Sequence, residues 1–519
     1  MFVRATSPGL NPITGISPRP TPHGVHLSLD DDFALPAAEH YQALPAGKHA
    51  TALSSRNLFV NIVMTITGTT ILGVSSQMKR GGLFLAPLVA CMVAMIITEM
   101  TRLTSITVDQ MQVDMGLNVR AYQDFVAGAL GRWGRLLSSV TCTGDLLCAI
   151  CIGNIVAASN FQFLVPIRTP WPQGDIGPEE GGRKWWALIL SLTTLIYSFY
   201  DLGPLARFAS KAGPVVGCIN IFLALAGSVL AGSDSGEFPL DCRDSHDQQY
   251  WSLVPSAGGG AFLSFAGVLS YFFYCFAMVV TVPSLKSEMS QPKELPRVAG
   301  DAYDACVVIF LLVMGAAYWA FGNLGPDNLV QGMRIDRPAG WWAMSRPWET
   351  GRGAMVGSAL SALTTTIMLL IDCTYVPCAV IAVEGTAPEF FKQSRCARVA
   401  ARLGVVFMRL LVSTQVHSFV ALSSLSSALF CMSNNVLLPI LAFYLVGAQK
   451  VSRLRKLMHA VIFALGCFVV AFGTYNAFRD ILWPPALQVE AVGIFPRSGV
   501  SPTCKADYRE ATFIAQDGR

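Results

Sequence analysis

The chain has 519 residues, of which 53% are hydrophobic and only 13% are charged, and its formal net charge is +4. Soluble globular proteins carry about 25% charged residues, so the composition excludes an ordinary soluble domain. The weak net charge and the absence of basic runs with interleaved aromatics exclude a nucleic-acid-binding protein.

Motifs of common enzymes and metal sites are absent from the sequence. It contains no P-loop, no GxSxG, no HExxH and no paired CxxC zinc pattern. We therefore predict that the protein is not an enzyme and holds neither a cofactor nor a structural metal.

The first 52 residues are rich in Pro, Ser, Thr, Gly and His and contain no apolar run. Such a composition cannot bury a core, which predicts a disordered tail over residues 1–52. It also lacks the apolar region of a signal peptide, so the first span is expected to serve as its own insertion signal.

Long uncharged runs follow this tail. Spanning a bilayer takes about 20 apolar residues, and the runs predict an all-α integral membrane protein with eleven transmembrane helices in a domain of residues 53–476. The predicted spans are 57–78, 82–107, 137–164, 185–201, 213–231, 257–285, 302–322, 354–382, 400–416, 420–446 and 457–475.

Lys and Arg in the loops predict the orientation. With the N-terminus in the cytosol, the short cytosolic loops hold sixteen of these residues against ten on the opposite side. The tail of residues 477–519 then lies outside the cytosol. Cys242 and Cys504 would share that side, and whether they form a disulfide stays open.

The middle of the first span contains Gly68, Thr69 and Thr70, which are poor residues for a helix interior. Broken helices survive in lipid only where they line a protein cavity. In many transporters, the freed N–H groups of such a break bind an anionic substrate group. We therefore predict a substrate site at Gly68, Thr69, Thr70 and Ile71, with close helix packing as the alternative.

The sixth span begins near a run of three glycines, Gly258–Gly260, about 200 residues after the first break. Each of these two spans opens a block of five, which predicts inverted repeats with the site at their interface. Four aromatics of the sixth span are predicted to shape the side-chain pocket, with simple core packing as the alternative: Tyr271, Phe273, Tyr274 and Phe276.

Several segments together resemble a known family, the amino acid/auxin permease superfamily. The first span resembles the pattern Gly-x-Gly-Ile-Leu-Gly-Leu-Ser of the sodium-coupled neutral amino acid transporter branch, with matches at Gly68, Ile71, Leu72, Gly73 and Ser75. Further similarities lie at Glu288, Met289 and Pro292, at Gly315, Tyr318, Phe321 and Gly322, at Thr374 before Pro377, and in the tenth span.

The resemblance implies a LeuT-like fold, with a 5+5 inverted repeat plus one extra helix, and cation-coupled transport of amino acids. Some positions depart from the branch. Thr70 replaces its second glycine, Met64 replaces a cation-binding Asn, and Ala277 and Met278 lie where a Cys-His or Gly-His pair is expected. These departures leave sodium and proton coupling both open, with a possible sodium site near Thr65 and Thr374.

Ionisable residues inside spans are costly and mark functional candidates. Glu99 and Arg102 are three residues apart on the second span, which predicts a structural ion pair. A rise of 1.5 Å per residue puts Asp145, Asp372 and Arg409 at similar depths. Because Arg409 can neutralise only one carboxylate, the other could carry a proton. We predict Asp372, beside Thr374, as the coupling residue, with a static Asp372–Arg409 ion pair as the alternative.

The sequence thus predicts a secondary active transporter of amino acids, favouring neutral substrates and coupled to a proton or sodium gradient by alternating access. The alternative is an amino acid sensor that keeps the transporter fold with little flux. The predicted partners are a small amino acid and the lipid bilayer. The plasma membrane and a vacuole- or lysosome-like membrane fit equally, and the oligomeric state stays open.

Overall fold

The computed structural model describes the chain in segments. The described residues are 54–68, 70–167, 178–199, 203–234, 253, 260–321, 327–332, 352–386, 394–416, 418–447 and 451–482. The predicted tail 1–52, the cysteines Cys242 and Cys504, and all positions after Leu482 lie outside these residues. The tail and the disulfide therefore stay predictions.

Every element in the described segments is helical, which confirms the predicted all-α fold class. A helix pairs its backbone groups within itself, as a lipid environment requires. Eight of the described helical stretches are long and apolar enough to cross a membrane, and the count of eleven stays a prediction. They are Val74–Met115, Tyr122–Leu164, Ala212–Leu230, Phe262–Glu288, Pro292–Ala320, Val356–Gly385, Phe419–Val446 and Arg453–Leu482.

The first, fourth and ninth predicted spans also contain helices, namely Ser55–Thr67, Pro178–Phe199 and Arg395–Gln415. The first helix is short because it is interrupted after Thr67. Charged residues occupy the first turns of the other two, and this shortens their apolar stretch. Each predicted span therefore coincides with helical structure.

The first span is broken as the sequence predicted. The helix Ser55–Thr67 ends, a 3-10 turn covers Thr70–Leu72, and a new helix begins at Val74. This helix joins the second span through Gly82, whose φ of 72° and ψ of 177° lie where only glycine fits without strain. Gly82 therefore turns the chain from the first span into the second.

The sixth span is broken as well. Its outer half is the helix Gly260–Cys275, and its inner half consists of the 3-10 turn Val279–Thr281 and the helix Val282–Glu288. Between them, Ala277 and Met278 have no helical assignment. The interruption lies in the middle of the span, and the first two glycines of the run at 258–260 lie outside the described residues.

The tenth span is an α-helix that widens in its middle. Residues Phe419–Ser426 and Leu438–Val446 are α-helical, whereas Ser427–Cys431 and Ser433–Leu437 form two π-helical turns. Such turns are rare and are found frequently at functional sites. This feature was not predicted from the sequence.

Helices of the third, fifth, seventh, eighth and eleventh spans complete the described membrane domain. Their bounds are Tyr122–Leu164, Gly203–Asp234, Leu295–Phe321, Arg352–Thr386 and Arg453–Leu482, with a π-helical turn at Val469–Gly473 in the last. That last stretch continues past the predicted domain end at residue 476. The eighth runs through Pro377 without interruption.

The buried side chains form one large core cluster drawn mainly from the first three, the sixth to eighth and the tenth spans. Large apolar side chains also lie exposed on the outer faces of the helices, among them Phe84, Met95 and Phe407. In a membrane domain these exposed faces meet lipid instead of water. The core cluster, in contrast, includes residues of both broken spans, such as Ile71 and Phe276.

Candidate functional site

The break of the first span lies directly against the sixth span. The Tyr271 hydroxyl donates a 2.8 Å hydrogen bond to the backbone carbonyl of Thr70. The Gly73 N–H donates to the same carbonyl at 3.0 Å. Both lone pairs of this oxygen are thus used, and a buried contact joins the first-span break to the outer helix of the sixth span.

Helical geometry continues through the first residue of the predicted break. Gly68 has right-handed helical angles, and its N–H donates to the Met64 carbonyl at 3.0 Å. The next described residues, Thr70–Leu72, form the 3-10 turn, and Thr69 lies outside the described residues.

The short 3-10 turn offers donors to an anion. Thr70 and Ile71 open this turn, and the first N–H groups of a helix have no partner within the helix. N–H groups at the start of a helical turn can bind an anion. Binding of a substrate carboxylate at Thr70 and Ile71 stays a prediction.

Two threonine hydroxyls near the break are engaged with their own helix. The Thr70 hydroxyl donates to the Ile66 carbonyl, and the Thr65 hydroxyl donates to the Asn61 carbonyl at 2.8 Å. The Thr374 side chain lies outside the described residues. The sodium site suggested near Thr65 and Thr374 therefore stays a prediction.

The four predicted pocket aromatics occupy different surroundings. Tyr271 lies at the break, whereas Phe276 packs against the seventh span, with its ring centroid 6.2 Å from that of Tyr303. Phe273 is also fully buried, and Tyr274 is half-buried. Tyr271, Phe273 and Phe276 all belong to the core cluster, and whether the four aromatics line a substrate pocket stays a prediction.

The buried charges form two separate groups. Arg409 lies fully buried and binds the Asp372 carboxylate at 2.6 Å and the Thr194 hydroxyl at 2.8 Å. Asp145 accepts hydrogen bonds from the Ser426 hydroxyl at 2.9 Å and from the Cys431 thiol at 3.2 Å. The three charged residues therefore do not meet at one point, and the pairing of Asp372 favours the ion-pair interpretation of that residue.

The carboxylate of Glu99 has partners on the eleventh span. It accepts hydrogen bonds from Arg455 and, at 3.1 Å, lies against the Nε2 atom of His459. Arg102 is exposed and is not its partner. The predicted Glu99–Arg102 pair is wrong because the packed eleventh span offers nearer cations.

A family model described as "Transmembrane amino acid transporter protein" matches residues 51–479. The chain belongs to this family. The resemblance to the amino acid/auxin permease superfamily is thereby confirmed, and the protein is a multi-pass membrane transporter. No curated protein sequence gives a significant match.

Two solved structures are similar to this transporter. It is similar to the crystal structure of MhsT in complex with L-phenylalanine, with a TM-score of 0.52 and 13% identity over 81% of this chain and 98% of that one. A manganese transporter of Eremococcus coleocola, in complex with an aromatic bis-isothiourea substituted compound, gives a TM-score of 0.48 and 12% identity over 89% and 90% of the chains. The predicted LeuT-like fold is confirmed.

Met64 of this transporter, which departs from the sodium-coupled branch, packs against the fifth span. A Cβ atom at Gly217 would lie 2.5 Å from the Met64 sulfur, so the glycine makes room for this side chain. A thioether is a soft and weak ligand, whereas hard cations take oxygen ligands. The position therefore contributes packing and no cation ligand.

The break of the sixth span in the transporter is held by a residue that sequence reasoning missed. The Asn435 side-chain oxygen accepts a 2.8 Å hydrogen bond from the Val279 N–H, and its amide nitrogen donates to the Cys431 carbonyl at 2.9 Å. Asn435 is fully buried. Adjacent asparagines, Asn434 and Asn435, inside an apolar span were the sequence signal that could have identified it.

We expect Asn435→Ala to destabilise the transporter by about 1–3 kcal/mol, because the buried Val279 N–H would lose its acceptor. A thermal melt of the purified protein, followed by size-exclusion chromatography, measures this loss. Ser433→Ala is the matched control, since Ser433 lies in the same π-helical turn and its hydroxyl only donates to the Leu429 carbonyl of its own helix. Equal melting temperatures for both variants would contradict the prediction.

Proposed function

We propose that the protein is a secondary active transporter that moves neutral amino acids across its membrane by alternating access, driven by a proton gradient. The contact between the two broken spans supports this proposal best. Tyr271 of the sixth span binds the unwound carbonyl of Thr70 in the first span, so the two half-helices can move as one unit around a bound substrate.

The substrate class follows from the groups at the break. Backbone N–H groups at the start of a helical turn favour a carboxylate. The apolar and aromatic surroundings, including Tyr271 and Leu72, favour an uncharged side chain over a charged one. L-Phenylalanine is the ligand of a protein with the same fold, which supports an amino acid as substrate.

The choice of the proton over sodium follows from two positions. Met64 supplies a thioether where the sodium-coupled branch has an amide, and the Thr65 hydroxyl is bound to its own helix. In contrast, the carboxylate of Asp145 in the third span is held by the neutral groups of Ser426 and Cys431. Sodium remains the competing coupling ion in the experiment below.

Uptake into proteoliposomes tests the proposal. The purified full chain is reconstituted, and the twenty radiolabelled amino acids are offered under an acid-outside pH gradient, under an inward sodium gradient and under neither. We expect neutral amino acids to accumulate under the pH gradient, and a protonophore to abolish this accumulation.

Three results would count against the proposal. Accumulation under the sodium gradient alone would show that sodium, and not the proton, is the coupling ion. Absence of uptake for all twenty amino acids would contradict transport. Binding of an amino acid without flux, measured by thermal shift, would favour the sensor alternative. Fluorescence microscopy of the chain tagged at its N-terminus shows whether the plasma membrane or a vacuole-like membrane contains the transporter.

A further inference from the structure

We propose that Asp145 of the third span, held by Ser426 and Cys431 of the tenth, is the residue that binds and releases the coupling proton. The inference rests on the proposed function, because it applies to a gradient-driven transporter. It assigns the role to Asp145 instead of Asp372, although Asp372 lies nearer in the sequence to Thr374, the family's cation-site position.

Asp372 is unavailable for this role. Its carboxylate contacts the Arg409 guanidinium at 2.6 Å, and the two side chains are only 6% and 0% exposed. A second guanidinium nitrogen binds Thr194. The guanidinium stays charged, so the Asp372 carboxylate already has a cationic partner that neutralises it without a proton.

Asp145 has the opposite environment. Within the described residues, no Lys, Arg or His nitrogen lies within ion-pair distance of its carboxylate, and its partners Ser426 and Cys431 are neutral. The titratable groups that face it from the third, sixth, eighth and tenth spans are Cys142, Cys148, Tyr274, Tyr375 and Cys431. An unpaired charge inside a membrane domain is costly, and binding a proton removes that cost.

Access distinguishes the two carboxylates as well. Asp372 is buried, whereas Asp145 is half-buried. Tyr274, one of the predicted pocket aromatics, lies within electrostatic range of both Asp145 and Cys431. A proton on Asp145 is therefore bound at a carboxylate that is less deeply buried than that of Asp372.

The π-helical turn of the tenth span creates this site. Ser426 and Cys431 are five residues apart and both donate to the same oxygen of Asp145. On a regular α-helix such residues would point about 140° apart. The i→i+5 pairing of the π-helical turn Ser427–Cys431 brings them onto one face.

The same segment connects Asp145 to the broken sixth span. Asn435 follows Cys431 by one turn and accepts from the Val279 N–H at the break. The negative charge of Asp145 holds the Ser426 hydroxyl and the Cys431 thiol, and a bound proton removes that charge. The tenth span is then less firmly tied to the third, and Asn435 transmits this change to the sixth-span break.

Proteoliposomes containing the full chain test the inference with an equimolar mixture of radiolabelled neutral amino acids. Counterflow measures substrate exchange, and uptake under an acid-outside pH gradient measures coupling. We expect Asp145→Asn to retain counterflow and to lose accumulation, whereas Asp145→Glu retains both. Ser426→Ala removes a donor to the charged carboxylate, so the midpoint of the pH dependence should move to higher pH by about one unit, and Ser433→Ala should leave the midpoint unchanged.

Accumulation by Asp145→Asn with an unchanged pH dependence would overturn the inference. Loss of counterflow in a folded Asp145→Asn would overturn it in favour of substrate binding by this carboxylate. Should Asp145→Asn fail to fold, an unchanged midpoint in Ser426→Ala overturns the inference and a shifted one supports it. Absence of counterflow in the wild-type protein would instead contradict the proposed function, and this inference with it.

Discussion

Arg409→Gln is expected to leave almost no folded protein. The substitution strands the buried Asp372 carboxylate, which now contacts the guanidinium at 2.6 Å with both side chains almost completely buried. Removing one partner of a buried ion pair costs about 3–5 kcal/mol, and the total stability of a folded domain is only about 5–15 kcal/mol. Fluorescence-detected size-exclusion chromatography of the detergent extract measures the folded fraction. Asp372→Asn should have a similar effect.

The double variant Asp372→Asn with Arg409→Gln is the decisive control. It replaces both charges with neutral amides of similar size, so we expect it to restore most of the folded fraction. Arg135→Gln serves as a matched surface control, because the Arg135–Asp124 pair is 3.4 Å long with side chains 43% and 45% exposed. Such exposed pairs contribute about 0–1 kcal/mol. A folded Asp372→Asn that exchanges but no longer accumulates substrate would show that Asp372 is the coupling residue after all.

Gly73→Ala is expected to abolish transport. A Cβ atom at this position would lie 2.2 Å from the Tyr271 hydroxyl oxygen and 2.9 Å from the Cζ atom of Phe419, both much closer than real contacts. Tyr271 is completely buried and cannot swing away. The added methyl group would therefore break the hydrogen bond from Tyr271 to the Thr70 carbonyl and push the two broken spans apart. Initial rates of uptake into proteoliposomes measure the loss, and overpacking of this kind costs about 1–3 kcal/mol of stability.

Two comparisons show whether the clash is responsible. Gly404→Ala adds the same methyl group at a helical position with nothing within 4 Å, and we expect uptake at the wild-type rate. Tyr271→Phe combined with Gly73→Ala removes the nearest clashing atom and should recover part of the activity. Wild-type uptake by Gly73→Ala alone would contradict the contact between the first and sixth spans.

The sequence alone was sufficient for the fold class and for the break of the first span. Apolar runs of membrane-spanning length require helices, since only internal pairing satisfies the backbone in lipid. Gly68 and Thr70 marked the first break within a few residues because they are poor helix-interior residues. Depth along a span is also readable from the sequence, because the rise per residue is constant, and this arithmetic correctly put Asp372 and Arg409 at one level.

Only the tertiary structure decided which groups at that level meet. Depth does not specify the direction in which a side chain points around its helix, so Asp145 shared the predicted depth but faces Ser426 and Cys431. The partners of Glu99 lie more than 350 residues away in the chain, beyond any local pattern. The π-helical turns rotate every residue that follows them, and this rotation depends on how the tenth span packs against the third and sixth.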